Sequence, residues 1–224
     1  SVRAAIRMHM HEGPGDILIF LPGSEDCEMA CKLSITRLQE LVERGKEVPG
    51  MVIYPLYGAQ SSEDQARVFE RPPENVRKLI FATNIAETSL TIDGVGFVVD
   101  SGYVKQKCYN PRTGMDALLI VPISKVQAIQ RAGRAGRTQP GKCYRMYSEQ
   151  FFKEQMIEYT VPEILRTNLA NTILTLKSMG IHDVMNFAFM EPPDKDQILS
   201  ALKQLYLLGA LDEEGKITDL GKEM

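Results

Sequence analysis

Two kinds of hydrophobic pattern alternate along the first two-thirds of this chain. Asp16-Ile-Leu-Ile-Phe-Leu21 is an unbroken apolar run of strand length, stopped by Pro22-Gly23. Met51 to Leu56, Lys78 to Ala82 and Gly96 to Asp100 repeat it. Between these runs the apolar positions take helical spacing. One such stretch runs from Val2 to Met10, and a second from an N-cap at Ser24 to about Val42. A third opens at Ser61-Ser62-Glu63-Asp64, with its acids where the helix dipole favours them, and ends near Arg71-Pro72-Pro73. Strands apolar on both faces that alternate with helices predict an α/β fold, a parallel sheet flanked by helices. Tyr103 to Tyr109 and Met115 to Val121 flank the turn sequence Asn110-Pro-Arg-Thr-Gly114 and predict an inserted β-hairpin, spanning about 103–121. Lys142 to Tyr147 predicts one more strand.

From Pro162 the period changes. Ile164 to Met179 reads as an amphipathic helix followed by Gly180, and Asp196 to Leu208 as a second helix. Ala210 to Ile217 reads as a short hairpin with Glu214-Gly215 in its turn. Helix, helix, small hairpin is the outline of a winged helix. The expected organisation is a sheet domain over 1–160 and a small, mainly helical winged-helix domain, truncated, over 161–224.

Composition narrows the function classes. The chain has 224 residues, 44% of them apolar, and a formal net charge of −3. A general basic coat is excluded, so any nucleic-acid surface must be local. Of the four cysteines, Cys27 and Cys31 share a helix face, but no Cys or His lies close enough in sequence to complete a zinc pattern. They read as reduced, packed thiols of an intracellular protein, and no metal site is expected. No apolar run approaches the ~18 residues of a membrane span, and the N-terminus lacks a signal-peptide pattern. The chain opens inside a helical pattern and stops at Gly221-Lys-Glu-Met224 without a C-cap, which reads as a piece of a longer protein.

Chemistry concentrates in two places. The first is Gln130-Arg-Ala-Gly-Arg-Ala-Gly-Arg137. On a helix turning ~100° per residue, Gln130, Arg134 and Arg137 share one face. From Ala117 to Ser148 the chain holds Lys125, Arg131, Arg134, Arg137, Lys142 and Arg145 and no acidic residue. Paired guanidiniums suit phosphate, because each offers a flat fork of donors. A solvated basic helix is the bland alternative, disfavoured by two glycines that would each cost a helix ~1 kcal/mol. The second place is Ala82-Thr-Asn-Ile-Ala-Glu-Thr-Ser-Leu-Thr-Ile-Asp-Gly94, directly after a strand. Ligands of open α/β sheets sit outside the carboxyl ends of strands, so Thr83, Asn84, Thr88, Ser89, Thr91 and Asp93 are expected there. Short hydroxyls and amides contact phosphates and sugars.

These two segments together resemble motifs V and VI of the DEAH-box RNA helicases. Ile17 to Leu21 with Pro22-Gly23 resembles motif IV, and Leu56-Tyr57-Gly58 with Arg67-Val68-Phe69 resembles the IVa region. Val99-Asp100 through Lys107 to Asn110-Pro111-Arg112 resembles the family's hairpin. Pro162-Glu163-Ile164 with Arg166 opens the winged helix as it does there. The chain departs from the family's usual wording at Leu21-Pro22-Gly23-Ser24 and at Ala59-Gln60-Ser61-Ser62. It contains no phosphate-cradling Gly-x-x-x-x-Gly-Lys-Ser/Thr loop and no Asp-Glu-Ala-His.

The resemblance implies a second RecA-like domain plus part of a winged helix, the C-terminal half of an ATP-dependent motor. It implies Gln130, Arg134 and Arg137 at the ATP γ-phosphate, the arginines as fingers, with Arg131 turned away into an ion pair. It implies Thr91 and Asp93 at the ribose, Ser89 as a sensor of nucleotide state and Phe69 stacked on the adenine. Thr83, Asn84 and Lys105 would hold single-stranded RNA, and the hairpin would bound the strand at its 5′ side. The implied cofactors are ATP and Mg2+, with the magnesium ligands mainly in a first RecA-like domain of the same protein. A glycine-patch activator, a nuclear location and a role in mRNA splicing or other RNA processing belong to the same expectation. Two alternatives stand beside it: a non-catalytic RNA- or protein-binding module, and a related DNA helicase.

Overall fold

The computed structural model describes residues 1–88, 90–110, 113–137 and 140–224. The elements in chain order are α1 (Val2–His11), β1 (Asp16–Phe20), α2 (Ser24–Glu43), β2 (Gly50–Leu56), α3 (Ser62–Ala66), β3 (Val76–Ala82), α4 (Ile85–Thr88) and β4 (Val95–Asp100). They continue with β5 (Tyr103–Asn110), β6 (Met115–Pro122), α5 (Lys125–Ala132), β7 (Lys142–Arg145), α6 (Glu149–Glu154), α7 (Ala170–Ser178), α8 (Lys195–Leu207) and α9 (Asp219–Glu223). Two compact units result. One comprises Ser1–Lys105 with Ile120–Thr160, the other Gln106–Leu119 with Val161–Met224. The base of the β5–β6 hairpin therefore belongs to the first unit and its outer part to the second.

In the first unit five parallel strands lie in the order β2-β3-β1-β4-β7. Alternation along each strand divides the core between two faces. Ile17, Ile19, Leu79, Phe81, Phe97 and Val99 meet Ala5 and Met8 of α1 and Cys27, Ala30 and Cys31 of α2. Leu18, Phe20, Ile80, Ala82 and Val98 meet Val68, Ala86, Ile92 and Ala135 on the other side. Both faces are covered, which is why the strands read as continuous apolar runs.

Three local expectations are corrected. Gly23, not Ser24, is the N-cap of α2, its N–H donating to Asp26 Oδ2 at 3.1 Å. The helix expected from Ser61 divides into α3 and a single 3-10 turn at Arg67–Phe69. The arginine segment is helical only as far as Ala132. Gly133 caps α5, and the chain goes on in tight turns, with Arg134 N–H donating to Arg131 O and Ala135 N–H to Ala132 O. The low helix propensity of two glycines ends the regular helix where the sequence pattern alone would continue it. Gly141 has its own reason: a Cβ there would collide with the Ala135 carbonyl, so this turn packs down onto the strand only with glycine.

The second unit packs α7 and α8 around Leu169, Ile173, Val184, Ile198, Ala201 and Leu205, and α9 closes it. Its expected first helix starts later than Ile164. Glu163–Leu165 forms a 3-10 turn, and Asn168 Oδ1 accepts from Ala170 N–H at 2.7 Å as α7 begins. The expected wing shrinks to one antiparallel bridge, Leu211 to Ile217, closed by Asp212 side-chain bonds to the N–H groups of Glu214 and Lys216.

Candidate functional site

The α5 helix starts with a capping box. Ser124 Oγ accepts from Gln127 N–H at 3.2 Å, and Gln127 Oε1 accepts from Ser124 N–H at 3.0 Å. This start sets the rotation of everything that follows. Arg131, in the last turn, is wholly buried. Its Nε donates to Glu87 Oε2 at 3.1 Å, and its Nη1 to Asp100 Oδ1 at 2.8 Å and Tyr103 O at 3.2 Å. The guanidinium lies 4.8 Å over the Phe20 ring, and Tyr147 donates to Asp100 Oδ2 at 2.9 Å. This network joins the strand end at Asp100, the α4 segment and the arginine segment through one cation. Its partners come from distant parts of the chain.

The other basic residues of the segment sort by what meets them. Lys125 pairs with Glu158 at 3.3 Å and Lys142 with Glu12 at 2.7 Å, while Arg145 stacks on Phe152 at 4.7 Å. Arg134 and Arg137 have no carboxylate within 4 Å among the described residues. Arg134 Nη1 donates to Leu90 O at 3.3 Å, and Arg137 Nη1 to Thr91 Oγ1 at 2.5 Å. Arg134 Nε is buried with no hydrogen-bond partner among the described residues. Burial, and next the charge of Arg137, hold the Arg134 guanidinium below its ordinary pKa. Two adjacent cations, one with an unsatisfied buried donor, are what an anionic ligand would relieve. Gln130 stands exposed on the last turn of α5.

The segment from Thr83 to Gly94 does not stay at one sheet edge, contrary to the sequence expectation. Thr83 follows β3 at the carboxyl edge, its N–H donating to Leu56 O at 3.0 Å, with Asn84 exposed beside it. Lys105 lies at that same edge. Its N–H donates to Pro22 O at 3.2 Å, and its Nζ is 3.6 Å from Glu25. Thr91 and Asp93, both exposed, lead instead into the amino end of β4, where Gly94 O accepts from Asp16 N–H at 2.9 Å. The chain crosses the sheet between them because Ala86 and Ile92 bury their side chains against Leu18 and Val98 on the way. The structure thus separates Thr83, Asn84 and Lys105 from Thr91, Asp93, Arg134 and Arg137. Phe69 is 42% exposed, on the 3-10 turn whose Val68 packs on the same sheet face as Ile92 and Ala135. Ser89 lies outside the described residues, as do Pro111 and Arg112 of the hairpin turn. Among the described residues no cluster of three or more side chains could hold a metal ion. None of the described helices is long and apolar enough to cross a membrane.

Residues 1–139 match the family model for the helicase conserved C-terminal domain, and residues 201–224 that for the winged-helix helicase associated domain (HA2). All 224 residues align at 51% identity with the pre-mRNA-splicing factor ATP-dependent RNA helicase prp22 of Schizosaccharomyces pombe. This chain belongs to the DEAH-box RNA helicase family. The helicase chain spans 19% of that relative's length. Its fold is similar to a crystal structure of the Escherichia coli DEAH/RHA helicase HrpB, with TM-score 0.81 and 33% identity over 99% of this chain and 27% of that one. A second HrpB structure gives TM-score 0.77 and 32% identity over 99% and 26%. The parallel sheet flanked by helices is RecA-like, and the terminal part is a winged helix.

Sequence reasoning missed the buried partners of Arg131, Glu87 and Asp100, and the buried pair Lys78–Asp16. A faint signal existed: Asp16, Lys78 and Asp100 each stand at the end of an apolar run in the sequence, where a charge needs a partner.

Proposed function

We propose that this chain is the C-terminal half of the motor of an ATP-dependent RNA helicase, which couples ATP hydrolysis to movement along single-stranded RNA. The observation that carries this reading is the state of Arg134 and Arg137. Among the described residues no carboxylate lies within 4 Å of either, in a segment whose other cations are paired or stacked, and they bond to Leu90 and Thr91 of the neighbouring segment. Facing a first RecA-like domain of the same protein, Arg134 and Arg137 meet the γ-phosphate of ATP and stabilise the charge that spreads over it during transfer. Gln130 adds a neutral amide at the same phosphate. Thr91 and Asp93 take the ribose, Ser89 reports the nucleotide state and Phe69 stacks on the base. Mg2+, when bound, would be held mainly by the first domain and would supply positive charge to the phosphates there.

Thr83, Asn84 and Lys105 hold RNA phosphates at the carboxyl edge of the sheet. Nucleotide and RNA then touch opposite ends of the segment from Thr83 to Gly94, so a shift at one end is felt at the other. The RecA-like domain runs over 1–160 and the winged helix over 161–224. The similarity to a pre-mRNA-splicing helicase favours a nuclear protein of RNA processing, and a glycine-patch protein is the activator class we assign. ATPase assays of the full-length protein with single-stranded RNA or DNA test this. Stimulation by RNA well above DNA is expected, and equal or absent stimulation would overturn the RNA assignment.

A further inference from the structure

Lys78 and Asp16 form a buried pair that the chemistry above does not use. Lys78 is 4% exposed. Its Nζ donates to Val68 O at 3.0 Å and Glu70 O at 3.2 Å, and lies 3.6 Å from Asp16 Oδ2. The two carbonyls belong to the residues on either side of Phe69. Asp16 is held in turn, its Oδ1 accepting from Lys78 N–H at 2.8 Å. Its own N–H donates to Gly94 O, next to Asp93. Gly94 has φ +85, and a Cβ there would sit 3.1 Å from Asp16 Oδ2. The ion pair therefore touches the backbone on either side of Phe69, while the main chain of Asp16 bonds to Gly94.

Stability alone is a weak reason for such a pair, because apolar side chains of similar volume often serve a core as well. Position is a better one. Phe69 ends a three-residue 3-10 turn, too short to hold itself, and its ring is 42% exposed. An exposed ring stacks well only if little freedom is lost on binding. With the carbonyls of its two chain neighbours, Val68 and Glu70, tied to one buried ammonium, the ring is held in advance.

We infer that Lys78, backed by Asp16, is a positioning residue that holds the exposed Phe69 ring ready to take a nucleobase. This rests on the reading of Phe69 as the residue that meets the base.

Steady-state ATPase of the full-length protein tests it. Asp16→Asn/Lys78→Met removes both charges together, so no uncompensated ion remains buried. It should raise KM for ATP about five- to tenfold, the low end of a lost stacking contact, with kcat changed less than about twofold. Added to Phe69→Ala, the same pair of changes should raise KM no further. A rise in KM that is equal with and without Phe69 would overturn the inference. So would an unchanged KM where Phe69→Ala alone raises it. If Phe69→Ala itself leaves KM unchanged, the assignment of Phe69 fails first and this inference with it. Should the double variant lose its fold, Lys78→Arg, which keeps the cation but moves its donors, allows the same comparison with and without Phe69.

Discussion

Arg131 Nε lies 3.1 Å from Glu87 Oε2, with neither side chain open to solvent. Together with Asp100 at 2.8 Å it makes a buried triad whose geometry leaves one cation between two carboxylates. Arg131→Ala would strand both acids. It should destabilise the chain by about 3–5 kcal/mol, the cost of breaking a buried pair from one side. Urea denaturation of this chain reads that directly. A loss below ~1 kcal/mol would mean the triad behaves like a surface ion pair.

Lys105 should act on RNA through charge alone. In the full-length protein Lys105→Ala should weaken single-stranded RNA binding about equally across sequences and lower the salt slope by ~0.7, the value for one single-strand phosphate. Fluorescence anisotropy at several salt concentrations measures both. A loss that depends strongly on sequence would make Lys105 a reader of bases.

Burial pushes the Cys27 and Cys31 thiols up to about 12, with neighbouring anionic groups adding to the effect. Thiolate is the reactive form, so at pH 8 both should resist alkylation in the folded chain. Cys108, only partly buried, should label first. Iodoacetamide labelling followed by peptide mass spectrometry distinguishes the sites. Modification of Cys27 or Cys31 as fast as Cys108 would contradict the packing of α2 on the sheet.

Phe69 offers a π-face with no donor or acceptor, and stacking tolerates every base. Strong rejection of a wrong base needs buried polar groups that it would leave unpaired. The full-length enzyme should hydrolyse GTP, CTP and UTP within about tenfold of ATP, and Phe69→Ala should raise KM for all four. A preference for ATP above about 100-fold would mean that polar groups elsewhere read the adenine edge.

The sheet was legible because four of its strands are apolar on both faces, and such runs have few other readings. The arginine face was legible only in part. Gln130, Arg134 and Arg137 read as one helical face, yet Gly133 ends α5, Arg134 is carried by a turn with an i to i+3 bond and Arg137 lies in the bend that follows. Glu87 and Asp100 could not be matched to Arg131 from sequence, because no local spacing brings three distant segments together. Nor could the crossing of Thr83 to Gly94 from one sheet edge to the other be read, since it is set by Ala86 and Ile92 packing on the sheet face. The wing was legible as a short hairpin around Glu214-Gly215 but its small extent was not: it pairs through the Leu211–Ile217 bridge and Asp212 N–H donating to Lys216 O at 2.9 Å, with Asp212 Oδ1 accepting from Glu214 N–H in the turn.

The role proposed for Arg134 and Arg137 is to stabilise the γ-phosphate in the transition state. Steady-state ATP hydrolysis by the full-length protein, wild type against Arg137→Ala and Arg134→Ala, tests this. In each variant kcat should fall by about 10³-fold or more, as for arginine fingers in other NTPases, while KM changes far less. A fall of less than about tenfold in kcat, or a loss confined to KM, would contradict it.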